Sequence, residues 1–168
     1  FTFAVRVPGW VNIWSLWING TRPEFTHVEN GYAYIDREWC NGDTLVLHTE
    51  MPVELVQANP RVREDIGKVA VMRGPLVYCI EEADNGPDLH LVQLGESPQF
   101  TAEFEPDLLS GVVSLRSEGK VLSQQDWPEG TLYRKDTEDS YEPKPLKWIP
   151  YYTRTNRTPG EMLVWVRR

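Results

Sequence analysis

The sequence predicts an all-β fold, an antiparallel β-sandwich, and three observations carry that reading. Three Asn-Gly pairs, Asn19-Gly20, Asn30-Gly31 and Asn41-Gly42, recur every eleven residues near the start of the 168-residue chain. Asn-Gly is the preferred pair for a type I′ hairpin turn, because both central residues need φ > 0 and few other pairs reach it cheaply. Between the turns run segments rich in apolar and β-branched residues, a rhythm that points to a sandwich or barrel. Finally, no window sustains the 3.6-residue apolar period of an amphipathic helix.

Taken in order, the first strand is Phe1-Thr2-Phe3-Ala4-Val5-Arg6-Val7, which alternates to Val7 and then meets Pro8-Gly9. Tyr32-Ala33-Tyr34-Ile35 and Thr44-Leu45-Val46-Leu47 follow at hairpin spacing, so the opening third reads as an antiparallel meander. Residues 53–66 admit at most a short helix, since Pro60 interrupts them. The stretch 67–80 holds two apolar runs split by Gly74-Pro75, which reads as two core strands or one kinked strand. Leu89–Leu94 and Gly111–Arg116 offer further strands, and residues 123–145, rich in Asp, Glu, Ser and Pro, read as a long loop or edge. Apolar character returns at residues 146–152. Thr158-Pro159-Gly160 then turns the chain into a last run, Met162 to Val166, which must bury itself against the strand-dense block 1–83.

Charge and composition exclude several functions. A formal charge of −8, from 17 basic and 25 acidic residues, provides no basic stripe for nucleic acid and disfavours anionic membrane surfaces. No apolar run approaches the roughly 20 residues of a membrane-spanning helix. The chain opens on Phe1 within a strand pattern, without Met, which reads as a portion of something longer.

Candidate chemistry is sparse. Cys40 and Cys79 match no metal spacing and read as buried free thiols, with a disulfide as the alternative. His27, His48 and His90 are scattered and lack the short ligand pair of a zinc site, so no metal site is expected. Glu81 and Glu82 would point to opposite faces of a strand, and Glu64-Asp65 and Glu138-Asp139 read as solvated surface. There is no nucleophile elbow, phosphate loop or dinucleotide fingerprint. Seven tryptophans are more suggestive, and Trp10, Trp14 and Trp17 lie close together in sequence. Exposed, they would form a stacking surface for sugars; buried, they would fill a core or interface, each covering up to ~200 Å². In a strand Trp17 faces opposite to Leu16 and Ile18, and Trp10 follows the Pro8-Gly9 bend, which favours packing. Asn19-Gly20-Thr21 and Asn156-Arg157-Thr158 are glycosylation sequons that matter only in a glycosylating host.

Four segments together resemble a known family: Arg6-Val7-Pro8-Gly9-Trp10; residues 31–39 with Gly42-Asp43; residues 67–81, from Gly67-Lys68-Val69 to Cys79-Ile80-Glu81; and Ile149-Pro150-Tyr151-Tyr152 through Asn156-Arg157 to Trp165. In this order they are similar to the C-terminal region of the bacterial β-L-arabinofuranosidase family of glycoside hydrolases. The resemblance implies an upstream α/α-barrel that carries a zinc-bound cysteine nucleophile, followed by β-sandwich domains, of which this chain matches only the sandwiches. It implies no catalytic or zinc role for Cys40 or Cys79, no cofactor in this chain, and zinc only in the upstream catalytic domain. It also implies a first sandwich from residues 1–83 completed by residues 146–168, with a second, smaller sandwich, residues 84–145, inserted before the C-terminal strands. The expected function is a non-catalytic region that supports the catalytic domain and offers a homodimer contact, in a bacterial periplasmic or secreted setting rather than a cytoplasmic one. Two rivals remain: a carbohydrate-binding module using Trp10, Trp14 and Trp17, and a free-standing hydrolase using two carboxylates.

Overall fold

The computed structural model describes residues 1–23, 27–125 and 127–168. The protein is predominantly β-structure and divides into two compact units, Phe1–Pro52 and Val53–Arg168.

The first unit holds five short strands: β1 (Thr2–Arg6), β2 (Trp14–Ile18), β3 (His27–Glu29), β4 (Tyr32–Asp36) and β5 (Leu45–Thr49). Asn30 and Gly31, at φ 50° and 78°, make the two-residue hairpin between β3 and β4. Asn19 and Gly20 adopt the same pair of angles, and Ile18 and Thr21 exchange backbone hydrogen bonds at 2.8 and 2.9 Å. That second hairpin stops after one bridge, because Arg22-Pro23 follows and proline cannot extend a ladder. The expected meander is therefore replaced by a crossed arrangement in which β4 lies between β1 and β3, and β2 pairs with β5. At Asn41-Gly42 only Gly42 has positive φ, and Asp43 organises the turn by accepting the Cys40 backbone N–H at 2.9 Å. The Asn19 side chain reaches across to the same turn, donating to Asp43 at 2.7 Å and accepting the Thr44 N–H at 2.9 Å. Leu16 and Ile18 of β2 pack on Ala33 and Ile35 of β4, two period-2 pairs that form the core between the sheets.

The second unit contains β6 (Val53–Val56), β7 (Lys68–Arg73), β8 (Leu76–Glu81), a one-turn helix α1 (Glu82–Asn85), β9 (Val92–Gln93), β10 (Phe100–Glu105), β11 (Val112–Leu122), β12 (Tyr141–Pro150), β13 (Met162–Leu163) and β14 (Trp165–Arg167). Pairing runs β8-β12-β11-β9-β14-β7, and β7 pairs back to β8, so the sheet closes round a single core. Gly74-Pro75 is the two-residue link of the β7–β8 hairpin, with Gly74 at φ 56°; the two apolar runs are thus two strands. Each strand of the ring contributes an inward side chain: Val69 and Val71, Tyr78 and Ile80, Val92, Leu115, Leu146 and Trp148, and Val166. Fully burying each such residue is worth about 1.5–3 kcal/mol. The two buried polar tips are satisfied: the Trp148 indole N–H donates to Ser117 Oγ at 3.0 Å, and the Tyr78 hydroxyl donates to the Val113 carbonyl at 2.9 Å.

This ring corrects the expected domain plan. The division falls after Pro52 rather than near residue 83, and residues 84–145 form no separate inserted sandwich. The reason is continuity of the ladder: Ile149 and Pro150 of β12 pair with Cys79 and Tyr78 of β8, while β12 pairs with β11 over eight residues. The tail does pair with strands from the 1–83 stretch, β13 with β8 and β14 with β7, but those strands belong to the second unit. Part of the polar stretch 123–145 is also strand, since residues 141–145 open β12. Pro143 and Pro145 are tolerated there because that end of β12 is paired on one side only, by β11.

Candidate functional site

The three tryptophans singled out in the sequence lie in two different environments of the first unit. Trp14 and Trp17 are three residues apart in β2 and so point to opposite faces. Trp14 shares the face of Leu16 and Ile18 and packs against their cluster. Trp17 is 39% exposed, its indole N–H donating to Ser15 Oγ at 3.2 Å and its ring lying under the Arg22 guanidinium at 5.5 Å. Trp10 is half-buried in the turn closed by the Val11 N–H to the Pro8 carbonyl. A single flat platform of all three rings is not formed.

A second aromatic surface escaped the sequence reading. In the β1–β4 register Val5 opposes Ala33 and Phe3 opposes Ile35, so Phe3 and Val5 share the core-facing side of β1, and Phe1 immediately precedes the strand. Val5 packs on the core, whereas Phe3 and Phe1 run past its end, 45% and 76% exposed. Trp39 sits against both rings, with centroids 5.9 Å from Phe1 and 5.7 Å from Phe3, and donates its indole N–H to the Phe1 carbonyl at 2.8 Å. The Arg37 guanidinium covers the Trp39 ring at 5.0 Å. The i, i+2 spacing of Phe1 and Phe3 was visible in the sequence, but the contribution of Trp39 needed the register.

In the second unit the polar chemistry gathers where β8 ends. Arg157 bonds Glu81 at 2.7 and 3.3 Å and Asp84 at 3.0 and 2.5 Å. Lys147 bridges Glu105 at 2.9 Å and approaches Asp84 at 3.9 Å. Glu105 also accepts the Ser114 hydroxyl, and these two hydrogen bonds hold its carboxyl below the ordinary range. Hydrolysis by paired carboxylates needs one of them protonated. Here each carboxylate of the cluster instead sits on a cation, so the arrangement is built as a neutralised brace. The pairs expected at the surface are placed accordingly: Glu64 and Asp65 lie in a 3₁₀ turn, Glu138 and Asp139 are exposed, and Glu82 starts α1 with its carboxylate accepting the Glu161 N–H at 2.8 Å.

The brace is completed by Asn85, which is buried. Its side-chain amide donates to the Lys147 carbonyl and accepts the Lys147 N–H, both at 2.9 Å. Asn85 thereby replaces a neighbouring strand where β8 has already left β12.

The zinc-bound cysteine cluster implied by the resemblance does not fit these residues. Cys40 and Cys79 are both free. Cys79 is fully buried in β8, and desolvation pushes its thiol up to about 12, which silences it as a nucleophile or ligand. Cys40 is exposed and has no second cysteine beside it among the described residues. A different group of ligand-bearing side chains does converge: Asp88, His90 and Glu161 each place one ligand atom within 4.8 Å of the others.

The relationships to known proteins agree with this two-part architecture. Residues 1–51 match the middle domain of the glycoside hydrolase family 127 β-L-arabinofuranosidases, and residues 53–167 match the family 127 C-terminal domain. A non-reducing end β-L-arabinofuranosidase of Bifidobacterium longum subsp. longum is 40% identical over 99% of this chain, which spans 26% of that protein. The crystal structure of a family 127 β-L-arabinofuranosidase from Geobacillus stearothermophilus T6 superposes with a TM-score of 0.92 at 43% identity, covering 99% of this chain and 26% of the other. A further family 127 β-arabinofuranosidase superposes with a TM-score of 0.85 at 34% identity, covering 99% of this chain and 27% of that one. The chain thus spans about a quarter of the length of the relatives it matches. On both the sequence and the structural match, the chain belongs to glycoside hydrolase family 127 and comprises its middle and C-terminal domains.

Proposed function

We propose that this chain is the non-catalytic β-region of a β-L-arabinofuranosidase-type hydrolase, and that it folds against and stabilises the catalytic part of its parent. The observation that carries this reading is coverage: the chain matches two named domains of such enzymes and about a quarter of their length. Two features support it. The clustered carboxylates Glu81, Asp84 and Glu105 of the second unit are bound to cations, and the open apolar end of the first unit, Phe1, Phe3 and Trp39, is what a surface meant to be covered looks like. The same uncovered aromatic face could equally serve a homodimer contact. In the parent enzyme, deletion of residues 1–168 should leave a catalytic part that is less soluble and melts lower, and adding the chain in trans should restore part of the loss. A deletion that leaves melting temperature and turnover unchanged would refute the supporting role.

A second reading, carbohydrate binding, is favoured by one observation, the exposed face of Trp17. It expects calorimetric titration with arabino-oligosaccharides to give micromolar binding that Trp17→Ala abolishes. Micromolar binding unaffected by that change, or none, removes it.

A further inference from the structure

We propose that Asp88, His90 and Glu161 form a surface site for a divalent transition-metal ion of the zinc class. Their ligand atoms lie within 4.8 Å of one another, and an ion bound at about 2.0–2.2 Å needs neighbouring ligands about 3.3 Å apart. The remaining closure, on the order of 1 Å, lies within the side-chain rotation of exposed residues. One imidazole with two carboxylates suits zinc, cobalt or nickel, whereas calcium and magnesium prefer all-oxygen shells with more ligands.

The backbone that carries these ligands is fixed independently of any ion. Asp88 and His90 flank Leu89, whose side chain is fully buried in the core of the second unit. Glu161 is held by two backbone bonds to Glu82 and its side chain, in which Glu82 N–H donates to the Glu161 carbonyl at 2.9 Å and Glu161 N–H donates to Glu82 Oε2 at 2.8 Å. Glu161 Oε2 accepts the Leu89 N–H at 2.7 Å, which ties the two segments together. Asp88 Oδ2 accepts one long bond from Gln124 at 3.4 Å. Charge supplies the independent argument. The carboxylates at the end of β8, Glu81, Asp84 and Glu105, are each held by arginine or lysine, whereas Asp88, Glu161 and the neighbouring Glu82 form no ion pair among the described residues. Two carboxylates converging on an imidazole without a side-chain cation repel each other, and a bound divalent ion neutralises them.

The test is titration of the metal-free chain with zinc by calorimetry, repeated with cobalt and read by absorption. The expected result is one equivalent bound with a micromolar Kd. His90→Ala and Glu161→Gln should each weaken it by about tenfold or more. Glu161→Gln retains the acceptor for the Leu89 N–H, so it separates loss of a ligand from loss of structure, and matched melting of the metal-free variants confirms that separation. Cys40→Ser, His27→Ala and His48→Ala should leave binding unchanged. Absence of saturable binding below millimolar zinc, a thiolate-to-cobalt charge-transfer band, or binding indifferent to both His90→Ala and Glu161→Gln would overturn the site.

Discussion

Replacing Arg157 with Ala should be among the most damaging polar substitutions in the second unit. Its guanidinium makes four contacts to Glu81 and Asp84, whose side chains are only 8% and 12% exposed. Removing one partner of a buried ion pair costs about 3–5 kcal/mol, because the remaining charge stays buried and unpaired. Two relieving factors set the lower end: Lys147 stays 3.9 Å from Asp84, and the Thr155 N–H still donates to Glu81 at 2.7 Å. We therefore expect about 3 kcal/mol, a fall in melting temperature of roughly 10 °C for a unit of this size. Hydrogen exchange localises the effect, since amides of β8 and β12 should lose protection while those of β1–β5 keep theirs. Glu81→Gln and Asp84→Asn in the Arg157→Met background should recover much of the loss, because no carboxylate is then stranded. A fall below about 1 kcal/mol for Arg157→Ala, the range of exposed ion pairs, would refute the view that this cluster braces the fold.

Other expected outcomes are simpler. Asn85→Ala strands the N–H and carbonyl of Lys147 and should destabilise the unit by about 2 kcal/mol in urea denaturation, with faster exchange at the Lys147 amide. Gly31→Ala places a Cβ at φ 78° and should cost about 1–2 kcal/mol in the first unit, measured by the loss of amide protection in β3 and β4. In the native chain iodoacetamide should label Cys40 and spare Cys79 until denaturant is added, as mass spectrometry would show. Glu105 has its folded-state pKa depressed, so it stabilises the unit above the ordinary value of 4.5 and this contribution is lost as pH falls through the lower folded value. Ser114→Ala should flatten that loss in pH-dependent melting.

What could be read from the sequence was the local chemistry. Asn19-Gly20 and Asn30-Gly31 specify their dihedral angles by themselves, so both turns form with the expected geometry. Asn41-Gly42 departs because the Asp43 carboxylate, two residues beyond Asn41, captures the Cys40 N–H and stabilises a turn with one left-handed residue. The domain boundary was hidden for a different reason. It depends on which distant strands pair, and the decisive contacts, Ile149 with Cys79 and Val166 with Val69, join segments whose apolar patterns would suit either unit. Side-chain clusters were hidden in the same way. Arg157 stood out only within a sequon and a family motif, while its partners Glu81 and Asp84 lie more than 70 residues earlier. Of the metal-ligand group only Asp88 and His90, two residues apart, were close enough to notice. For Trp14 and Trp17 strand alternation placed the rings on opposite faces, but the packing expected of both is found only for Trp14, since Trp17 is 39% exposed.

The central claim, a non-catalytic region of an arabinofuranosidase-type enzyme, is tested most directly by turnover of a chromogenic β-L-arabinofuranoside by the purified 168-residue chain. The predicted result is no hydrolysis above blank, with or without added zinc, while the parent enzyme turns over under the same conditions. Hydrolysis by the chain alone that is lost on Glu81→Gln or Glu105→Gln would contradict it and make the brace an active site.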